Sequence, residues 1–146
     1  MPLPVWIVVA NGSRARVLQR DGHAGALTEI RDWVHPATRQ HSQDLGNGHR
    51  QSGIRGRSGL AERSTAQNHE RSAFAHEICE WLAHGLNTQQ AGSVALLASN
   101  PFLGELIAHG QGRLHGHLCA AHAVDLTALP LPQLAQRLHQ DYHLRP

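Results

Sequence analysis

The residues best suited to chemistry lie in one stretch, His35 to Ser64. It carries Arg39, Arg50, Arg55, Arg57 and Arg63, interleaved with Gly46, Gly48, Gly53, Gly56 and Gly59, and only Asp44 and Glu62 oppose the charge. Guanidinium groups take phosphate oxygens through paired hydrogen bonds, and glycine lets the backbone approach the same anion closely. The chemistry indicated is phosphate contact, carried by Arg50, Arg55, Arg57 and Arg63 and assisted by Arg39 and His49. The stretch has no Phe, Trp or Tyr on which bases could stack, so recognition of the shape and backbone of structured RNA fits better than sequence readout. The alternative is a solvated loop with no partner. A loop of this length is uncommon in a compact domain and is usually functional or disordered.

Other constellations are weaker. His115-x-His117-x-Cys119 would put three ligand types on one face of a strand, with His122 on the other. It lacks a fourth ligand, and thirteen histidines make chance clustering expected. The competing reading is an edge strand, partly exposed, with a small buried thiol. His76-x-x-Cys79 is weaker still. A nuclease needs several carboxylates holding divalent metal beside the central strands. Val5 to Asn11 and Ser93 to Ser99 contain none, and Asp125 and Glu105 stand isolated. Cys79 and Cys119 have no evident His/Asp set, and no nucleophile elbow, phosphate loop or dinucleotide fingerprint occurs. No catalytic residue, metal or cofactor is expected.

These groups need a scaffold. The chain has 146 residues, 40% of them hydrophobic, which suits one globular domain over 1–146. No run approaches the ~18–20 apolar residues of a membrane span, and Val5 to Ala10 is too short for a signal segment, so a cytoplasmic location is expected. The two cysteines give no disulfide framework and read as buried free thiols. Formal charge is +2, and all thirteen basic residues are arginine. That total does not itself argue for nucleic acid; its concentration in one stretch does.

Val5 to Ala10 is a continuous apolar run suited to a central strand. Asn11-Gly12 signals a hairpin through residues that tolerate positive φ. Arg14 to Arg20 is the partner strand, with Ala15 and Val17 opposite Arg14, Arg16 and Leu18. Leu27 to His35 makes a third strand whose alternation is imperfect, as near a sheet edge. The Arg/Gly loop follows over about 36–64. Ser64-x-x-Gln67 resembles a capping box, and Phe74, Ile78, Trp81, Leu82 and Gly85 predict a helix over Gln67 to His84. Ser93 to Ala98 is another apolar strand. Asn100-Pro101 suits the N-cap and first position of a helix buried through Phe102, Leu103, Leu106 and Ile107. His115 to Val124 is the last strand, and Pro132 opens a final helix with Leu134, Leu138 and Tyr142 on one face. The order βββαβαβα predicts an α/β domain with a five-stranded mixed sheet of ribonuclease H-like topology, helices on both faces, and the two most apolar strands adjacent in the middle.

Several short motifs in this order resemble the bacterial host attachment protein family. They are Trp6-Ile7-Val8-Val9-Ala10 with Ser13-Arg14-Ala15-Arg16, His35-Pro36 before the polar loop, and His69-Glu70-Arg71 before Phe74-Ala75. Pro101-Phe102-Leu103-Gly104 and Asp125-Leu126-Thr127 complete the set. The resemblance spans nearly the whole chain. The family is similar in fold to the central domain of archaeal and eukaryotic peptide-chain release factors, which implies an RNA or translation context. In those factors a Gly-Gly-Gln tip occupies the corresponding loop. Here that loop reads Gly53-Ile54-Arg55-Gly56-Arg57-Ser58-Gly59, so peptidyl-tRNA hydrolysis is not implied. The resemblance tips the balance toward a non-catalytic domain that binds ribosomal or other structured RNA. The family name implies an adhesion-related interaction protein as the alternative, and a metal-dependent hydrolase ranks last.

Overall fold

The computed structural model describes residues 3–20, 27–35, 56–114 and 116–142, with backbone alone over 56–65. Its elements are β1 (Val5–Ala10), β2 (Arg14–Arg20), β3 (Leu27–Val34), α1 (Gly56–Asn87), β4 (Ser93–Ala98), α2 (Phe102–Gly110), β5 (Leu118–His122) and α3 (Leu131–Tyr142). They form one five-stranded sheet in the order β3-β2-β1-β4-β5. β1 pairs antiparallel with β2 and parallel with β4, and β4 pairs parallel with β5. The expected mixed sheet, with its two most apolar strands side by side, is the observed one.

Period-two alternation divides the core. Trp6, Val8 and Ala10 of β1 and Val94, Leu96 and Ala98 of β4 pack with α1 and α2 on one face. Val5, Ile7, Val9, Ala95 and Leu97 pack with α3 on the other. On α1, Phe74, Ile78, Leu82 and Leu86 recur at helical spacing and are buried; Leu134 and Leu138 do the same for α3. Each such side chain contributes about 1.5–3 kcal/mol by leaving water. Trp6 stacks on Trp81 at 4.5 Å between ring centroids, and Trp33 meets Trp81 edge-on at 5.3 Å.

Several local expectations are corrected. α1 begins at Gly56, not near Gln67. Leu60, Ala61, Glu62, Arg63 and Ala66 are good helix formers, and they carry the helix past Gly59. The connection after β3 is shortened accordingly. The Asn11-Gly12 hairpin forms without positive φ at either residue, because the Asn11 side chain closes a three-residue turn. The irregular alternation of β3 comes from a bulge: Val17 pairs with Arg31 and Leu18 with Glu29, leaving Ile30 as the extra residue. Ile30 and Trp33 therefore both face the α1 side. Pro101, not Asn100, is the N-cap of α2, and no side chain caps it. α3 opens at Leu131, one residue before Pro132.

β5 is shorter than the expected His115 to Val124. His117 lies in the preceding turn, where its amide donates to Leu114 O at 2.9 Å and its Nδ1 lies 3.2 Å from Gly92 O. A register shift then leaves Cys119 between the pairs Val94–Leu118 and Ala95–Ala120. The strand face expected for His115, His117 and Cys119 is thus broken at His117 and again at the bulge, and His115 lies outside the described residues. Cys119 is exposed, not buried; Cys79 is buried.

Candidate anion-binding site

β1 and β4 run parallel in register from Val5–Ser93 to Ala10–Ala98, so they end at the same edge of the sheet. Open α/β sheets bind ligands at the carboxyl ends of such strands. β1 passes into Asn11, whose Oδ1 accepts from the amides of Ser13 and Arg14 at 2.8 and 2.9 Å. Its Nδ2 donates to Asp125 Oδ2 at 3.0 Å and Thr127 Oγ1 at 3.1 Å. One amide side chain thereby ties the β1–β2 turn to the chain leaving β5. Burial pushes the Asp125 carboxyl up, but hydrogen bonds from Thr127 and Asn11 outweigh it and hold it below its usual range.

The arginines beside this turn serve the scaffold. Arg14 makes a two-pronged contact with Asp32, Nε to Oδ1 at 3.2 Å and Nη2 to Oδ2 at 3.0 Å, and that carboxylate raises its pKa. Arg16 is 5% exposed. It pairs with Glu29 and donates to Thr127 O at 3.1 Å and Leu129 O at 2.7 Å. The motif residues Ser13-Arg14-Ala15-Arg16 and Asp125-Leu126-Thr127 therefore meet in space and lock the sheet to the turn before α3.

On the other side of the Gly12 turn lies a polar cleft of about 250 Å³. Ser13, Ser99 and Asn100 line it from the strand ends, Gln67 and Arg71 from α1, and Phe102 from the start of α2. Gly12 lies so close to Arg71 that a Cβ there would be 3.2 Å from Arg71 Cδ. One η nitrogen of Arg71 donates to Asn68 Oδ1. Its Nε is buried and has no acceptor among the described residues. An unmet buried donor costs about 1–3 kcal/mol, and more when the group is charged.

The His35 amide, just past β3, donates to Ser13 O at 2.9 Å, and the chain returns through α1 to the cleft-lining Gln67. Arg39, His49, Arg50 and Arg55 lie outside the described residues. Arg57 and Arg63 fall on α1, where only the backbone is described. No contact of these six side chains is therefore assigned.

The described residues offer two other reactive arrangements. Ser72 Oγ lies 2.9 Å from His109 Nε2, but Glu105 Oε2 approaches the same ring nitrogen at 3.7 Å. A hydroxyl–imidazole–carboxylate relay needs the two partners on opposite nitrogens. Burial pushes the Cys79 thiol up to about 11, against a smaller downward pull from Arg113, and its Sγ contacts Leu106 O at 3.4 Å. It is neutral at physiological pH and held as a core side chain. Among the described residues no group of three or more His, Cys, Asp or Glu is placed to hold a metal, and no helix is long and apolar enough to cross a membrane.

Arg71, Gln67, Ser99 and Asn100 are the site residues that sequence reading passed over. Arg71 belongs to the His69-Glu70-Arg71 motif, and only the packing of α1 against the β1–β2 turn brings it beside Gly12. The available signal was Ser99-Asn100-Pro101 directly after an apolar strand.

Residues 6–138 match the family model described as a protein required for attachment to host cells. No curated protein matches the chain. With nearly its whole length covered by that match, the chain belongs to the family of proteins required for attachment to host cells.

Proposed function

We propose that this chain is a non-catalytic, cytoplasmic binding domain for RNA, ribosomal RNA above all, with Arg39, His49, Arg50, Arg55, Arg57 and Arg63 contacting phosphates. The observation that supports this reading is Arg71 in the polar cleft at the carboxyl edge of the sheet. His35 donates to Ser13 O at this edge, α1 lines the cleft through Gln67 and Arg71, and a cationic group at the carboxyl ends of parallel strands favours an anionic partner. The resemblance of the family to the release-factor central domain inclines the choice of polyanion toward RNA. Sedimentation of tagged protein with ribosomes at low and high salt tests it. The protein sediments with ribosomes at low salt and is released at high salt. Protein that stays in the supernatant at every salt concentration contradicts the reading.

The family description supports a second reading, an interaction protein that takes part in attachment to a host cell. Cell fractionation separates the two. Recovery in the ribosomal and soluble fractions supports the first, and recovery at the cell surface supports the second.

A further inference from the structure

We propose that the cleft at the carboxyl ends of β1 and β4 is a site for a terminal phosphate group, bound through Arg71. The inference rests on the RNA reading only for the source of the phosphate, which is either a free phosphate or the 5′ end of an RNA strand.

Three observations converge. The first is the state of Arg71. Asn68 engages one of its η nitrogens, while Nε is buried without an acceptor among the described residues. No described carboxylate forms an ion pair with it; Glu70, the nearest acid in sequence, lies 3.9 Å from His35. A guanidinium with one edge anchored and another N–H unmet matches an anion with several acceptor oxygens on one centre.

The second is the lining. Ser13, Ser99, Asn100 and Gln67 supply neutral donors, and no Asp or Glu lines the cleft among the described residues. The N-cap of α2, Pro101, makes no side-chain capping bond. The start of this nine-residue helix also lies at the cleft, with Phe102 in its wall. Its partial positive charge has the same sign as that of Arg71.

The third is size. About 250 Å³ lies just below the roughly 300–1,000 Å³ of small-molecule pockets. That is room for one phosphate and the sugar attached to it, not for a continuous duplex backbone. Gly12 keeps the space open: a side chain there would press on the Arg71 stem.

The test is amide and guanidinium NMR of the full chain during titration with inorganic phosphate, ionic strength being held constant with chloride. Saturable shifts are expected at Gly12, Ser13, Ser99 and Asn100 and at the Arg71 Nε–H. Arg71→Gln weakens the binding by roughly tenfold or more, the loss expected for a charge-assisted pair. Gly12→Ala also weakens it, while the core resonances of both variants stay in place. Shifts that do not saturate, that chloride reproduces, or that survive Arg71→Gln overturn the proposal. Oligoribonucleotides with a 5′-phosphate or a 5′-hydroxyl then identify the source. Preference for the phosphorylated strand assigns the cleft to RNA ends; equal binding, with phosphate still saturating the cleft, assigns it to free phosphate. Phosphate binding without any RNA binding sinks the RNA reading and leaves the cleft. RNA binding without phosphate saturation does the reverse.

Discussion

Gly85 of α1 lies directly beneath the Trp6 ring, so close that a Cβ at this position would come within 2.2 Å of Trp6 Cη2. The ring cannot yield easily, because its other contacts include the stacked Trp81 at 4.5 Å and a hydrogen bond from Nε1 to Gln19 Oε1 at 2.9 Å. Alanine usually stabilises a helix relative to glycine by up to ~1 kcal/mol. Here overpacking reverses the sign. Gly85→Ala destabilises the protein by about 1–3 kcal/mol, read as a lower urea midpoint at unchanged slope. A variant as stable as the parent contradicts the close approach of α1 to β1.

The Asn11–Asp125–Thr127 cluster predicts an acid dependence. The Asp125 carboxyl has a lowered folded-state pKa because Thr127 and Asn11 donate to it, against the opposing effect of burial. A depressed carboxylate stabilises the fold above its unfolded value of about 3.9, and that contribution is lost as pH falls through the lower folded value. Asp125→Asn therefore costs stability at neutral pH, and the difference from the parent narrows as pH falls below about 4. Urea titrations of both proteins across that range check it. A difference that stays constant with pH removes Asp125 from the acid response.

The cysteines divide by burial. Cys119 is exposed at the β5 bulge, while Cys79 is buried with its thiol pushed up to about 11. A thiol-specific reagent at neutral pH modifies Cys119 in the native protein and reaches Cys79 only on unfolding. Mass spectrometry of the labelled peptides gives the answer. Rapid native labelling of Cys79 contradicts the packing of α1 on α2.

The sheet was legible because its signal is chemical and local. The six-residue apolar runs of β1 and β4 are too short for a buried helix and suit the centre of a sheet, and Asn100-Pro101 marked the coming helix to within two residues. Departures arose where one residue changes the count. The bulges at Ile30 and Cys119 shift register by a single position, which hydropathy alone does not specify. The start of α1 was misplaced because glycine density suggested a loop, whereas Leu60, Ala61 and Ala66 sustain a helix. The candidate site was only half visible. Arginines crowded into one stretch stand out in a sequence, but the cleft joins Gly12, Arg71 and Ser99, which are far apart along the chain and meet only after the parallel pairing of β1 with β4.

The central claim we propose is that Arg39, His49, Arg50, Arg55, Arg57 and Arg63 hold the phosphates of RNA. Its most direct test is the salt dependence of affinity for structured ribosomal RNA, measured for the parent and for Arg55→Ala/Arg57→Ala. Log affinity is expected to fall linearly with log salt. The double variant binds more weakly across RNA sequences alike, and its slope is shallower by roughly 0.7–0.9 for each phosphate no longer neutralised. No RNA binding by the folded parent at any ionic strength, or an unchanged slope in the variant, contradicts it.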